Sequence, residues 1–272
     1  MLLGLLLSLA LAAAAVGALL LVRRRAPEGG FFHDGDRAAG MFGVLATGFS
    51  VLLGFVVFLA FTSFDQSRTG AEAEAVAVVQ QFQTAQFMPD TASAPLGAAL
   101  ICYGRFVVGT EWPQMEAGGA PSDVNPWGLR LYEELKPIQP QSASEEAAYG
   151  KWLDQTSERE QARQDRLHGA EGIIPWPLWA ALIFIAAVIG VFMLFFADSG
   201  EPKRVQAVQV GSVTIVIVVM LLLIRFLDNP FQSGPGGLEP TAMTRTLAIL
   251  EGDLEGVGAR TPPPCNDAGI AR

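Results

Sequence analysis

Four stretches of this chain are long and apolar enough to cross a lipid bilayer. That limits the fold open to it, because in hydrocarbon each backbone N–H and C=O must be paired within the segment, and so each stretch is a helix. The first stretch, Leu2 to Val22, has no ionisable residue and is followed by Arg23-Arg24-Arg25. A secretory signal peptide carries its positive charges ahead of the apolar run. Here they follow it with no small-residue cleavage site between, so the helix is read as retained. The second stretch, Met41 to Phe64, is rich in glycine, alanine and phenylalanine. The third runs from Pro177 to Phe196, with Trp176 and Trp179 at its start, where amphipathic rings favour the headgroup zone. Pro175 and Pro177 fit a first helical turn, whose N–H groups have no intrahelical acceptor. The fourth runs from Val205 to Leu227. Its Ile215–Leu223 core would suit a buried strand in water, but its length and lack of turn signals favour a spanning helix.

Only Ala197 to Arg204 separates the last two runs, which forces an antiparallel hairpin; Arg23 to Gly40 joins the first two. The expected architecture is an all-α integral membrane protein, multi-pass in the cell membrane. Its parts are a first hairpin at residues 1–64 (helices 2–22 and 41–64), a helical extramembrane insert at 65–172, a second hairpin at 173–227 (helices 177–196 and 205–227) and a tail at 228–272. Composition agrees: 51% of residues are hydrophobic and 17% charged, against about 25% charged in soluble proteins. A net charge of −9 speaks against a nucleic-acid surface. Two cysteines and two histidines are too few for a disulfide-dense scaffold or a zinc site.

The insert holds 16 acidic and 8 basic residues and is no linker. Ala71 to Phe87 has no proline or glycine and is full of helix formers, so the second helix is expected to continue out of the membrane through Gly70 and end near Pro89. Further helices are expected at Thr91–Thr110, stopped by Pro113, then at Trp127–Leu135 and Ser142–His168. The last of these should pack through Tyr149, Trp152 and Leu153. Residues 115–126 read as loop. In the tail, Thr241 to Leu254 has Met243, Leu247, Leu250 and Leu254 at helical spacing, and Ala259 to Arg272 is expected to be disordered.

A set of motifs in this order resembles a family. Leu53-Gly54-Phe55-Val56-Val57-Phe58 runs into Asp65-Gln66-Ser67-Arg68 and Glu72-Ala73-Glu74-Ala75. Tyr103 and Glu111-Trp112-Pro113 come next, and Asp228-Asn229-Pro230-Phe231 follows the last membrane helix. Together they are similar to the bacterial bestrophin-like membrane family, over about residues 40 to 255. The likeness extends more distantly to bestrophins, pentameric anion channels whose second membrane helix lines the pore. In animal bestrophins the Asn-Pro-Phe segment leads into an acidic calcium clasp; here Gln232-Ser233-Gly234-Pro235-Gly236-Gly237 follows, so calcium gating is not implied.

No catalytic constellation is visible, and no cofactor or metal is expected. His33, Asp34 and Asp36 lack the ligand number and spacing of a metal site. Ser50, Ser63 and Ser67 have no histidine in the same layer. Glu72 and Glu74, two apart on a helix, point in different directions and read as solvated. Glu111-Trp112-Pro113 reads as a helix stop with a packed tryptophan. Arg68 is placed to pair with Asp65 three residues back or with Glu72 four residues on.

Two functions compete. In the first, copies assemble in the bilayer as a homo-oligomeric ion pore, with anions the class that the resemblance implies. At about 100° per residue, Thr47, Ser50, Gly54, Phe58, Phe61, Asp65 and Arg68 fall on one stripe, running from small and hydroxyl residues through two phenylalanines to charges. Gly40 and Gly43 continue it. The same stripe also reads as a helix-packing face, since small residues let membrane helices approach closely. The second function is a non-conducting protein that senses or docks a protein partner through the acidic insert.

Two further expectations concern sidedness. The loop after the first helix carries Arg23, Arg24, Arg25 and Arg37, and the loop before the fourth carries Lys203 and Arg204. The short-loop charge rule puts both inside the cell and the insert outside, whereas the bestrophin resemblance implies the reverse. Cys102 and Cys265 then lie on one side. If that side is oxidising they could pair; the preferred reading makes Cys102 a buried small apolar residue and Cys265 a free thiol on a disordered end.

Overall fold

A computed structural model describes residues 2–121, 124–256 and 263–272. Its helices are α1 (Leu2–Arg23), α2 (Gly35–Ala85), α3 (Asp90–Phe106), α4 (Trp112–Glu116), α5 (Pro126–Leu135), α6 (Ala143–Leu167), α7 (Trp176–Leu194), α8 (Lys203–Leu227) and α9 (Thr241–Gly256). A π-helical turn, Val107–Glu111, joins α3 to α4. The described residues contain no named strand, as an all-α reading requires. The chain forms two compact units, residues 1–62 with 174–228 and residues 63–173 with 229–272. Among the described residues, five helices are long and apolar enough to cross a membrane: Leu3–Arg23, Gly35–Ala85, Thr91–Glu116, Trp176–Leu194 and Lys203–Leu227. In Thr91–Glu116, 56% of the apolar window is buried within the chain, against 17% in each of the other four.

The first unit is held by apolar interdigitation. Phe49, Leu53 and Val56 of α2 pack with Leu182 and Ile189 of α7 and Ile224 of α8. A second cluster gathers Leu19, Ala26, Met193, Ala197 and Val210. The loops at residues 24–34 and 195–202 are tied together. Arg23 donates to Gln206 Oε1 at 3.1 Å and to the Ser199 carbonyl at 2.8 Å, and Gly29 N–H donates to Asp198 Oδ1 at 3.0 Å. Asp228 accepts from the Ile174 N–H at 3.0 Å and from the Trp179 indole at 3.4 Å, binding the start of α7 to the end of α8.

The second unit has one large core, with Phe82, Leu96, Leu100, Tyr103, Trp112, Trp127, Trp152, Phe231 and Leu250 among its buried members. The starts of α5 and α6 are capped by side chains. Asn125 Oδ1 accepts from Trp127 N–H at 3.1 Å. Ser142 Oγ accepts from Glu145 N–H, while Glu145 Oε2 accepts from Gln141 N–H at 2.6 Å. Such reciprocal capping satisfies N–H groups that the helix cannot.

Several expectations are corrected here. Pro113 does not end the helical run, which continues to Glu116. The turn before it is widened, so that Trp112 N–H reaches back five residues to the Val107 carbonyl, and Pro113 falls in the first turn of α4, where no donor is required. Leu153 is exposed on α6, whereas Trp152 is buried as expected. Residues 263–272 are ordered rather than disordered. Cys265 bridges to Ala271, Asn266 Oδ1 accepts from the N–H groups of Ala268 and Ile270, and Arg272 N–H donates to the Pro264 carbonyl. The rest of the tail expected to be disordered, up to residue 262, lies outside the described residues. Cys265 is not a free thiol: it is bonded to Cys102, with their Cα atoms 5.8 Å apart. Spacing along the chain could not reveal this, because 163 residues separate the pair.

Candidate pore helix and the ionic core of the second unit

Helix α2 is continuous from Gly35 to Ala85 and has two unlike faces. In the first unit Phe49, Leu53, Val56 and Ala60 are buried, at steps of four, three and four residues. Thr47, Ser50, Gly54, Phe58 and Phe61 lie on the opposite, exposed side, with Phe58 64% and Phe61 54% exposed. In the second unit Asp65 and Arg68 continue the exposed row, and Ser63, Ser67, Gly70 and Glu74 the buried one. Every residue of the expected stripe therefore faces away from its own chain. Phe55 is as exposed as Phe58, at 66%, so exposure alone does not set the stripe apart from its flank. Taking about 100° per residue, the exposed arc is about 180° wide, with Phe55 and Leu59 toward one edge. The Ser50 hydroxyl donates back to the Ala46 carbonyl at 2.9 Å, so it offers lone pairs rather than a free donor to the exposed face. Arg68 pairs with Glu72 at 3.3 Å, as its spacing indicates, and both side chains are more than half exposed.

The small residues of α2 are divided by unit. Gly40, Gly43 and Gly54 have open space where a Cβ would stand. Gly70 does not: a Cβ there would overlap the backbone of α6, meeting Asp165 C at 2.7 Å and Ala162 O at 2.8 Å. The face Ser63-Ser67-Gly70 is therefore where this chain uses small residues for close approach of its own helices, and the Ser67 hydroxyl accepts from Gly169 N–H at 3.0 Å.

That approach brings α6 against Glu74, which is fully buried, contrary to its reading as a solvated helix residue. Arg166 donates through Nε to Glu74 Oε2 at 2.5 Å and through Nη2 to Glu74 Oε1 at 3.2 Å; Nη2 also donates to Glu111 Oε2. Arg163 closes on the other Glu111 oxygen at 2.6 Å, and the Tyr103 hydroxyl donates to Glu74 Oε1. The Arg166 guanidinium lies 5.9 Å from the Trp112 ring centre, and the Arg159 guanidinium 4.8 Å from that of Tyr103. Two carboxylates and two guanidiniums balance in charge. Burial alone disfavours the charged form of Arg166, but Glu74 and then Glu111 outweigh it, so its pKa stands above the ordinary value and the group stays cationic at any working pH. The sequence reading missed this core. Its signal was the small-residue face ending in Glu74, met by Arg163 and Arg166 three apart on a helix. The arrangement is a closed structural network with no substrate-sized opening, and the described residues hold no cluster of three or more metal-ligating side chains.

Residues 9–243 match the Bestrophin-like domain. The chain belongs to that family. This establishes it as a membrane protein, in keeping with its apolar helices. No curated protein sequence matches it. Among solved structures it is similar to a bacterial bestrophin homologue from Klebsiella pneumoniae. A single-substitution variant of that homologue shares a TM-score of 0.67 at 15% identity, over 94% of this chain and 98% of the other. The homologue phased on zinc gives a TM-score of 0.65 at 14% identity, over 94% and 98%. At that identity the likeness speaks to the fold alone.

Proposed function

We propose that this protein is a homo-oligomeric ion pore in the cell membrane, with α1, α2, α7 and α8 crossing as two hairpins and α2 lining the pore. The observation that carries it is the exposed stripe of α2. A chain in a bilayer gains nothing by holding glycine and hydroxyl residues toward lipid, and the apolar packing of the first unit uses the opposite face. In a symmetric assembly the exposed half of α2 divides in two. Thr47, Ser50 and Gly54 with Phe58 and Phe61 face the axis; Phe55 and Leu59, toward the edge of the arc, meet a neighbouring copy. Phe58 and Phe61 form a dewetting constriction, and Asp65 and Arg68 set the potential at its mouth. Anions are the class suggested by the likeness to bestrophins.

The ionic side chains of the insert do not favour the docking alternative, because the best-placed of them are spent on one another. The test is mass in detergent, followed by ion flux in liposomes with chloride and potassium salts. Phe58→Ala and Phe61→Ala should raise conductance, and Phe55→Ala should weaken assembly. A monomer that passes no current would remove the pore reading.

A further inference from the structure

The Cys102–Cys265 bond does more than join two cysteines. Both are fully buried, and the bond holds the C-terminal segment, residues 263–272, against α3 and the π-helical turn. The Trp127 indole donates to the Gly269 carbonyl, and the Thr110 hydroxyl to that of Ala268 at 2.8 Å. Gly109 has no side chain where Ala268 crosses it; a Cβ there would meet Ala268 Cα at 2.7 Å. Gly269 adopts a φ of 74° against the Phe106 backbone, a conformation and a closeness open only to glycine. The segment is thus fitted to its seat, and the disulfide is part of the fit.

Such a bond persists in oxidising compartments and is kept open in the cytosol. A separate observation points the same way. Arg24 and Arg25 are exposed on the loop at residues 24–34, and Arg37, Lys203 and Arg204 are exposed in the first turns of α2 and α8 that follow the two short loops; those loops are hydrogen-bonded to each other, so these charges share one end of the spans. Short loops rich in lysine and arginine stay cytosolic, while a long insert crosses largely regardless of its charge. From that end α2 crosses once before the second unit begins at Ser63.

We propose that the second unit lies on the oxidising, non-cytosolic side of the membrane, and that Cys102 and Cys265 form a latch closed by that compartment. The inference rests on the reading that α1, α2, α7 and α8 are the spans. Closure is thiol–disulfide exchange with a disulfide-bearing oxidant. The two thiols lose two protons and two electrons, the S–S bond forms, and the oxidant's own disulfide is reduced to two thiols. Reduction reverses this and leaves the segment held by its hydrogen bonds from Trp127 and Thr110 alone.

The experiment uses the full chain in its native membrane, with thiols trapped before lysis. Peptide mapping without reductant should show Cys102 linked to Cys265; recovery of both as trapped thiols would overturn the latch. Two variants then read the side, each adding one cysteine to the otherwise intact chain. Ser157→Cys, on the exposed face of α6, should react with a membrane-impermeant maleimide in intact cells. Ser199→Cys should react only after permeabilisation. The opposite pattern would overturn the orientation while leaving the spans standing. Equal labelling of both, with the chain recovered in the soluble fraction, would mean instead that the spanning reading has failed, and the orientation with it.

Discussion

Helix α2 offers a test of its two faces through one substitution made twice. Gly70→Ala and Gly54→Ala each add a single methyl group to the same helix. Each relieves the entropic disadvantage of glycine in a helix interior, worth about 0.5–1 kcal/mol. At Gly54 nothing lies within 4 Å of the new atom, so only the gain remains. At Gly70 the atoms overlapped belong to the backbone of α6, from Ala162 to Arg166, and cannot turn aside as a side chain could. Helices α2 and α6 must move apart, and that movement stretches the contacts of Glu74 with Arg166. Overpacking a well-filled interior costs about 1–3 kcal/mol, and backbone overlap puts this site at the upper end. The net for Gly70→Ala is a loss of about 1–2 kcal/mol, and for Gly54→Ala a small gain. For a chain of this size 1 kcal/mol moves the melting midpoint by about 2–4 °C. The assay is the folded fraction surviving stepped heating in detergent, read by size-exclusion chromatography. A Gly70→Ala protein at least as heat-resistant as the parent would refute the close approach of α2 to α6 and the ionic core argued from it.

Arg166→Met should be far more costly, by about 3–5 kcal/mol, because it strands Glu74 as a buried carboxylate and leaves Glu111 with Arg163 alone; combining it with Glu74→Gln should recover part of that loss in the same heating assay. Trp127→Phe removes the donor to the Gly269 carbonyl and should cost about 1 kcal/mol. With the disulfide reduced, it should also speed proteolysis of the last ten residues, measured by mass spectrometry, whereas with the disulfide intact the end should stay protected.

What the sequence disclosed, it disclosed through length and period. Four apolar runs stood out because each had to be a helix. The long course of α2 beyond the apolar zone was readable from an alanine- and glutamate-rich stretch without a breaker. Local chemistry also served: Arg68 meets Glu72 one turn on. The failures share one cause, which is long-range pairing. Glu74 looked solvated because its partners, Tyr103 and Arg166, lie 29 and 92 residues away on α3 and α6, a separation no helical period encodes. Cys265 looked free because its segment is polar and rich in proline and glycine. Such composition does not reveal that Gly269 and Ala268 fit against Phe106 and Gly109. Pro113 looked like a stop because the rule for proline assumes an α-helical ladder, and the π-helical turn before it had already changed the register.

The exposed small residues of α2 carry a last consequence. Small residues in a membrane helix have two uses, close packing of helices and room for something else. Within this chain the first use is taken in the second unit, at Ser63, Ser67 and Gly70. In the first unit the chain packs α2 through Phe49, Leu53 and Val56, large residues on the opposite side, and leaves Gly40, Gly43, Thr47, Ser50 and Gly54 outward. Packing of the chain on itself therefore does not explain the stripe. On the proposed reading of the chain as an oligomer, the stripe serves either contact between copies or a shared axis. The two differ in where phenylalanine belongs. A contact face rewards rings that interlock along its whole length, whereas a pore tolerates them only as a ring at one level. On the proposed pore reading, Phe58 and Phe61, about one turn apart and following the small residues, are assigned to the axis. Phe55, set about 60° around the helix from Phe58, is positioned for the first. The conductance of the Phe58 and Phe61 variants, set against the assembly of the Phe55 variant, thus measures how the exposed half of one helix is divided between neighbour and axis.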